Sequence, residues 1–213
     1  MTAWLVILAR STVAGSGKSR LRRDLPDDAV DMLAVTFLAD TVEWAERTNA
    51  PLLIAHSGPA AQLPATTAKL VPQVEGDLGD RIDAALAHAF ERGADRAVLI
   101  GSDSPDLPET LLAACFDELD AAPVTLVPAT DGGWIAIGTR SPLNGCLSRV
   151  AWSARDTCDQ TIAALTAAGR APKVLDQWYD VDDVQSLRRL GAALTIAPGR
   201  APRTAAALQQ LRP

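Results

Sequence analysis

Cysteine and histidine are scarce in this chain. Three cysteines, Cys115, Cys146 and Cys158, are odd in number, widely spaced and without a histidine pair at metal-ligand spacing. That pattern excludes a disulfide framework and a zinc site, and it predicts reduced thiols in a cytoplasm. The two histidines, His56 and His88, stand alone, so no Ser–His–Asp arrangement is expected. The longest apolar runs, 4–9 and 97–100, fall far short of the roughly 20 residues a membrane span requires. No basic stretch precedes the first run and no small-residue cleavage site follows it, so a secretory signal is not expected. Internal repeats and long linkers are absent too, which predicts one domain over 1–213.

What is present is the balance of a globular protein: 213 residues, 48% apolar and 22% charged. A chain of this length can bury roughly 70% of its unfolded surface. The net charge of −6 argues against a nucleic-acid partner. Its distribution is uneven. Residues 1–23 hold Arg10, Lys18, Arg20, Arg22 and Arg23 and no acid, which leaves −11 for the rest of the chain. A cationic island in an acidic chain points to a small anionic ligand held at one place.

Residues 4–9 form a continuous apolar run, as expected of a strand buried on both faces. Apolar positions at Val30, Leu33, Phe37, Leu38 and Trp44 repeat every 3.6 residues and predict a helix over 29–47. Further strands are expected at 51–56, 69–74, 97–100, 124–127, 134–137 and 173–175. Further helices are expected at 80–92, 108–119, 157–168 and 184–190. This alternation predicts an α/β fold, a three-layer sandwich with a mostly parallel sheet. Ligands in such sheets bind beyond the carboxyl ends of the strands, so the loops there carry the functional residues.

Four loops stand out. The first, 10–21, contains Gly15-Ser-Gly17-Lys18-Ser19-Arg20, whose amides and cations suit a polyphosphate. It resembles a P-loop, but that motif needs glycine at Thr12 and a long helix from Lys18. The second, 76–81, offers Asp77 or Asp80 as a helix cap, or a nucleotide contact with Arg81. In the third, 101–106, Ser102 and Asp103 follow a buried strand; Asp103 is placed to bind magnesium and Asp106 to cap the next helix. The fourth, Asp131-Gly132-Gly133-Trp134, reads as a hairpin turn or a close approach to a ligand. Near the C-terminus Asp180, Asp182 and Asp183 precede a helix, and one of them must cap it.

In order and kind these loops resemble the small bacterial GT-A-like transferases, also labelled radical-SAM or selenodomain-associated transferases and DUF2064, of the nucleotide-diphospho-sugar transferase superfamily. The matching residues are Arg10, Gly15 and Lys18–Leu21, then 76–81, 101–105, 131–134, Trp152-Ser153 and 180–182. They span about residues 4–190. This chain departs from the family pattern at Arg10, which stands for lysine, at Thr12 and Ala14, which stand for prolines, and at Ala154, which stands for threonine. The resemblance implies a nucleotide-diphospho-sugar transferase fold and a transferase dependent on Mg²⁺ or Mn²⁺. Metal ligands are then Asp103 and Asp182, and Lys18, Arg20 and Asp103 are the catalytic residues. Arg10, Gly15, Lys18, Arg20, Asp77, Arg81 and Ser102 hold the nucleotide. Asp131, Gly132, Gly133, Trp134 and Trp152 face the acceptor. The cationic loop favours nucleotidyl transfer from an NTP to a small phosphorylated acceptor, with pyrophosphate released. Glycosyl transfer from a nucleotide sugar is the alternative, followed by a P-loop kinase or a non-catalytic nucleotide-binding protein. The expected partners are a nucleotide and a small-molecule acceptor, with no nucleic acid and no membrane; a homodimer is left open.

Overall fold

The computed structural model describes residues 2–10, 15 and 17–211. The N-terminal apolar run becomes β1 (Ala3–Arg10). Successive strand side chains point to opposite faces. Val6 therefore joins one core, while Leu5, Ile7 and Ala9 join another on the opposite face. The other strands are β2 (Leu52–Ser57), β3 (Lys69–Pro72), β4 (Arg96–Ile100), β5 (Val124–Pro128), β6 (Trp134–Thr139) and β7 (Pro172–Val174). They make one seven-stranded sheet in the order β3-β2-β1-β4-β6-β5-β7. Pairing is parallel except for β6, which runs antiparallel to both β4 and β5.

The described residues form six α-helices: α1 (Asp27–Arg47), α2 (Leu78–Glu91), α3 (Glu109–Asp117), α4 (Thr157–Ala167), α5 (Val184–Ile196) and α6 (Pro202–Gln210). α2 and α4 lie on one face, where Ile82, Leu86 and Leu165 pack with Val6, Leu53 and Leu99. α1 and α3 lie on the other, where Leu38, Val42 and Leu112 pack with Ile7, Ile54 and Ile100. Each such fully buried side chain contributes about 1.5–3 kcal/mol relative to exposure. α5 and α6 pack outside α1 around Phe37, Leu190 and Ala205. The result is the expected three-layer α/β/α sandwich with a mostly parallel sheet. No helix among the described residues is long and apolar enough to cross a membrane.

Strand directions decide where the loops meet. β1, β4, β5 and β7 all end at one edge of the sheet, and the antiparallel β6 begins there. The segments after β1 and β4, the β5–β6 turn and the segment after β7 therefore share that edge. The sequence of β1, with β2 on one side and β4 on the other, also makes it the point where strand order reverses, the usual place for a ligand.

Several expectations are corrected. α5 continues to Ile196 rather than ending at 190, and α6 was not anticipated. Asp106 does not cap α3, whose N-cap is Pro108. Asp106 is instead 1% exposed and accepts a 2.6 Å hydrogen bond from the Tyr179 hydroxyl. Burial pushes its pKa up, and the Tyr179 hydrogen bond opposes that. The three cysteines are free thiols, as expected.

Candidate active site

The first loop is held by ion pairs to α1. Arg22 donates from Nε to the Gly17 carbonyl at 2.9 Å and pairs with Asp27 at 3.0 Å and Asp31 at 2.5 Å. The Gly15 N–H donates to the Asp31 carboxylate, which places that amide on protein and not on the cavity. After Lys18 the chain makes only a 3-10 turn, Leu21–Arg23, so the helix that a P-loop requires is absent. Thr12 and Ala14 lie outside the described residues.

Lys18 is enclosed, with its side chain 8% exposed. Its ammonium lies 2.8 Å from Asp103 Oδ1, donates to the Val181 carbonyl at 2.8 Å, and sits 5.0 Å above the Phe37 ring. It thereby pins the first loop to the two acidic loops. Those two are themselves joined: the Val181 N–H donates to the Asp103 carbonyl, and the Ser104 hydroxyl to the Tyr179 carbonyl. Lys18 (φ 48°) and Ser153 (φ 66°) both hold left-handed backbone at the cavity. Non-glycine residues do so only where surrounding structure enforces it.

Asp183 is the cap of α5, in a reciprocal box with Ser186, which frees Asp180 and Asp182. With Asp131 from the β5–β6 turn they form a cluster whose ligand atoms lie within 4.8 Å of one another. Asp180 is pushed up to about 6, first by burial, then by the charges of Asp182, Asp131 and Asp103. Asp182 is raised by burial and by Asp103, against the pull of Lys18 and Arg20. Clustered carboxylates that raise one another's pKa are relieved by a hard cation with oxygen ligands. Opposite ligands of Mg²⁺ stand about 4.2 Å apart, so the donor set fits with little movement. Sequence reasoning placed Asp131 with the acceptor and left Asp180 undecided, because their meeting depends on β5, β6 and β7 sharing an edge.

These loops enclose one cavity of about 500 Å³, within the range of small-ligand sites. Arg10, Lys18 and Arg20 line it together with Asp103, Asp131, Asp180 and Asp182. Ser102, Gly133, Trp134, Trp152 and Arg81 also line it. Three expected residues are placed elsewhere. Gly15 is turned to Asp31. Asp77 caps α2, accepting from the Asp80 N–H at 3.0 Å. Gly132 (φ 97°) has the Arg155 carbonyl 1.7 Å from where a Cβ would stand, so its close approach is to backbone and not to a ligand. The hairpin reading of this turn is correct: the Ala129 N–H bonds the Gly133 carbonyl.

Among the lining residues that the sequence did not single out are Gln73 and Arg155. Gln73, just after β3, donates from Nε2 to the carbonyls of Ala9 and Ala55, both at 2.9 Å. Arg155, three residues after Trp152, lines the same cavity. Only its position beside the Trp152-Ser153 motif could have flagged it.

Comparison with known proteins places this architecture. The model of the family described as DUF2064, uncharacterized protein conserved in bacteria, matches residues 38–154. A protein of Desulfovibrio desulfuricans G20 with the provisional name nucleotide-diphospho-sugar transferase is 29% identical, with a TM-score of 0.88 over 99% of this chain and 95% of that one. CMP:2-keto-3-deoxy-manno-octonic acid synthetase complexed with CTP shares the fold at 17% identity, with a TM-score of 0.55 over 92% of this chain and all of that one. Rv0371c of Mycobacterium tuberculosis H37Rv in complex with manganese shares it at 23%, with a TM-score of 0.55 over 89% and 98%. No curated protein matches.

Proposed function

The chain belongs to the DUF2064 family of bacterial proteins and is a transferase of the nucleotide-diphospho-sugar transferase fold; from that premise we propose that it transfers a nucleotidyl group from an NTP to a small phosphorylated acceptor. The observation that carries this reading is the presence, around one cavity, of Arg10 and Arg20 together with the Asp131, Asp180 and Asp182 cluster.

In this reading Asp131, Asp180 and Asp182 hold a divalent cation, with Asp103 beside them. Mg²⁺ or Mn²⁺ bound there supplies charge neutralisation at the phosphate oxygens. Arg10 and Arg20, which have no ion pair among the described residues, bind the β- and γ-phosphates. An acceptor phosphate oxygen attacks the α-phosphorus, the bond from it to the bridging oxygen breaks, and pyrophosphate leaves with the electron pair. The arginines stabilise the charge that builds on that leaving group, and removing one such donor typically costs about 10²–10³ in rate. Lys18 acts differently from first expectation: with its charge spent on Asp103, it positions the metal-side loop and does not meet phosphate.

Glycosyl transfer from a nucleotide sugar is the second reading, favoured by the name of the Desulfovibrio relative. Incubation with Mg²⁺, each NTP and a panel of phosphorylated acceptors should release pyrophosphate, and Arg20→Ala should slow that release at least tenfold. Release of nucleoside diphosphate from a nucleotide sugar, with no pyrophosphate from any NTP, would reverse the ranking.

A further inference from the structure

Two guanidiniums on the α2–α4 side of the cavity have no ion-pair partner among the described residues. Arg81 lies in the first turn of α2 and lines the cavity. Its Nε is buried with no hydrogen-bond partner. Asp77 and Asp80 close the capping box of α2, each bonding a backbone N–H, and neither pairs with Arg81. A cation in the first turn of a helix also opposes the positive end of the helix dipole. Arg155 lines the same cavity just before α4, so it too stands near a helix start.

The wall between them is aromatic. Gly79 makes room for Trp152, whose Cζ2 would lie 3.2 Å from a Cβ there. Trp152 meets Trp134 edge-on, with ring centroids 6.3 Å apart at 69°. The first loop, by contrast, folds onto α1 on the opposite face of the sheet, through Lys18 over Phe37 and Arg22 on Asp31. The cavity thus has two separate cationic places, and only the second adjoins paired indoles.

We propose that Arg81 and Arg155, with Trp134 and Trp152, form the acceptor subsite, and that the acceptor is an organic phosphomonoester or phosphonate with an apolar body. The guanidiniums take the anionic head bidentately, as Arg does with phosphate, and the indoles take the body. Such a site answers a physical need of the transfer reading on which it rests. Two phosphate groups must approach each other beside four carboxylates, and uncompensated like charges do not come together. A neutral alcohol acceptor would need no such arginines.

The test is calorimetric titration of the protein with phenyl phosphate, without metal or nucleotide, so that its failure stays separate from failure of the pyrophosphate assay. Saturable binding is expected, weakened about tenfold or more by Arg81→Ala and by Arg155→Ala, since hydrogen bonds to charged groups are the stronger kind. Arg155 is exposed, so its variant tests the site without a folding risk. Arg20→Ala should leave phenyl phosphate affinity within twofold, and inorganic phosphate should bind more weakly than phenyl phosphate. Absence of saturable binding, loss of binding in Arg20→Ala alone, or equal affinity for inorganic phosphate would overturn the assignment.

Discussion

Lys18 and Arg20 are neighbours in one cationic loop, yet their side chains meet different surroundings. Lys18 spends its charge on Asp103 and on the Val181 carbonyl, deep in the fold. Removing it leaves a buried carbonyl without its donor, which costs about 1–3 kcal/mol. Lys18→Ala should therefore lower unfolding free energy by about that amount in urea denaturation. Arg20 makes no such contact, and Arg20→Ala should change stability by no more than about 0.5 kcal/mol while weakening nucleotide binding. Equal stability losses for the two variants would contradict the division of roles. Sequence could show the charge excess of this loop but not its partition, because Lys18's partners are remote in sequence. Asp183 was legible as a candidate cap from its place before an apolar periodic run. Asp106 was misread for the same reason, since its true partner, Tyr179, is brought near only by the β4 and β7 loops converging.

Elements were legible where the apolar pattern was strong. β1, β2, β4 and the first turns of α1 announced themselves through buried runs and 3.6-residue spacing. α6 did not, because Pro202–Gln210 is short and largely alanine and polar residues, and its buried face is only Thr204, Ala205 and Ala207. Its N-terminus is capped from elsewhere: Asp40 of α1, 2% exposed, accepts from the N–H groups of Arg203 at 3.1 Å and Thr204 at 2.8 Å. Pro202 in the first turn was the one local start signal. Asp40→Ala should cost about 0.5–2 kcal/mol, the usual worth of a cap, and should speed amide hydrogen exchange in 203–206 before it affects the sheet. Unchanged exchange there would show that packing on α1, and not the cap, holds α6.

Across the fold, sheet topology brings scattered acids into one cluster. Asp103, Asp131, Asp180 and Asp182 are separated by up to 79 positions, and only the shared strand edge gathers them. Sequence could therefore name the loops but not the cluster. Its electrostatics set a pH dependence. The folded-state pKa of Asp180 is raised to about 6, against about 3.9 for an unperturbed aspartate. A raised pKa means the folded state binds the proton more tightly, so this group's contribution to metal-free stability is present below about pH 4 and is lost as pH rises through 6. A divalent cation needs the same carboxylates deprotonated. Mn²⁺ should then raise the melting temperature more at pH 7.5 than at pH 5, and Asp180→Asn should abolish that difference. A metal-induced shift of equal size at both pH values would argue against the cluster.

In the proposed reading these carboxylates and the cavity's arginines together bind a metal–nucleotide complex. Calorimetric titration with each Mn²⁺–NTP at pH 7.5 tests it most directly, comparing the parent with Asp182→Asn and with Asp117→Asn, an exposed acid on α3 away from the cavity. Saturable binding is expected for at least one NTP, unchanged in Asp117→Asn and weakened tenfold or more in Asp182→Asn. Binding of equal affinity in all three proteins, or of no Mn²⁺–NTP to the parent, would contradict it.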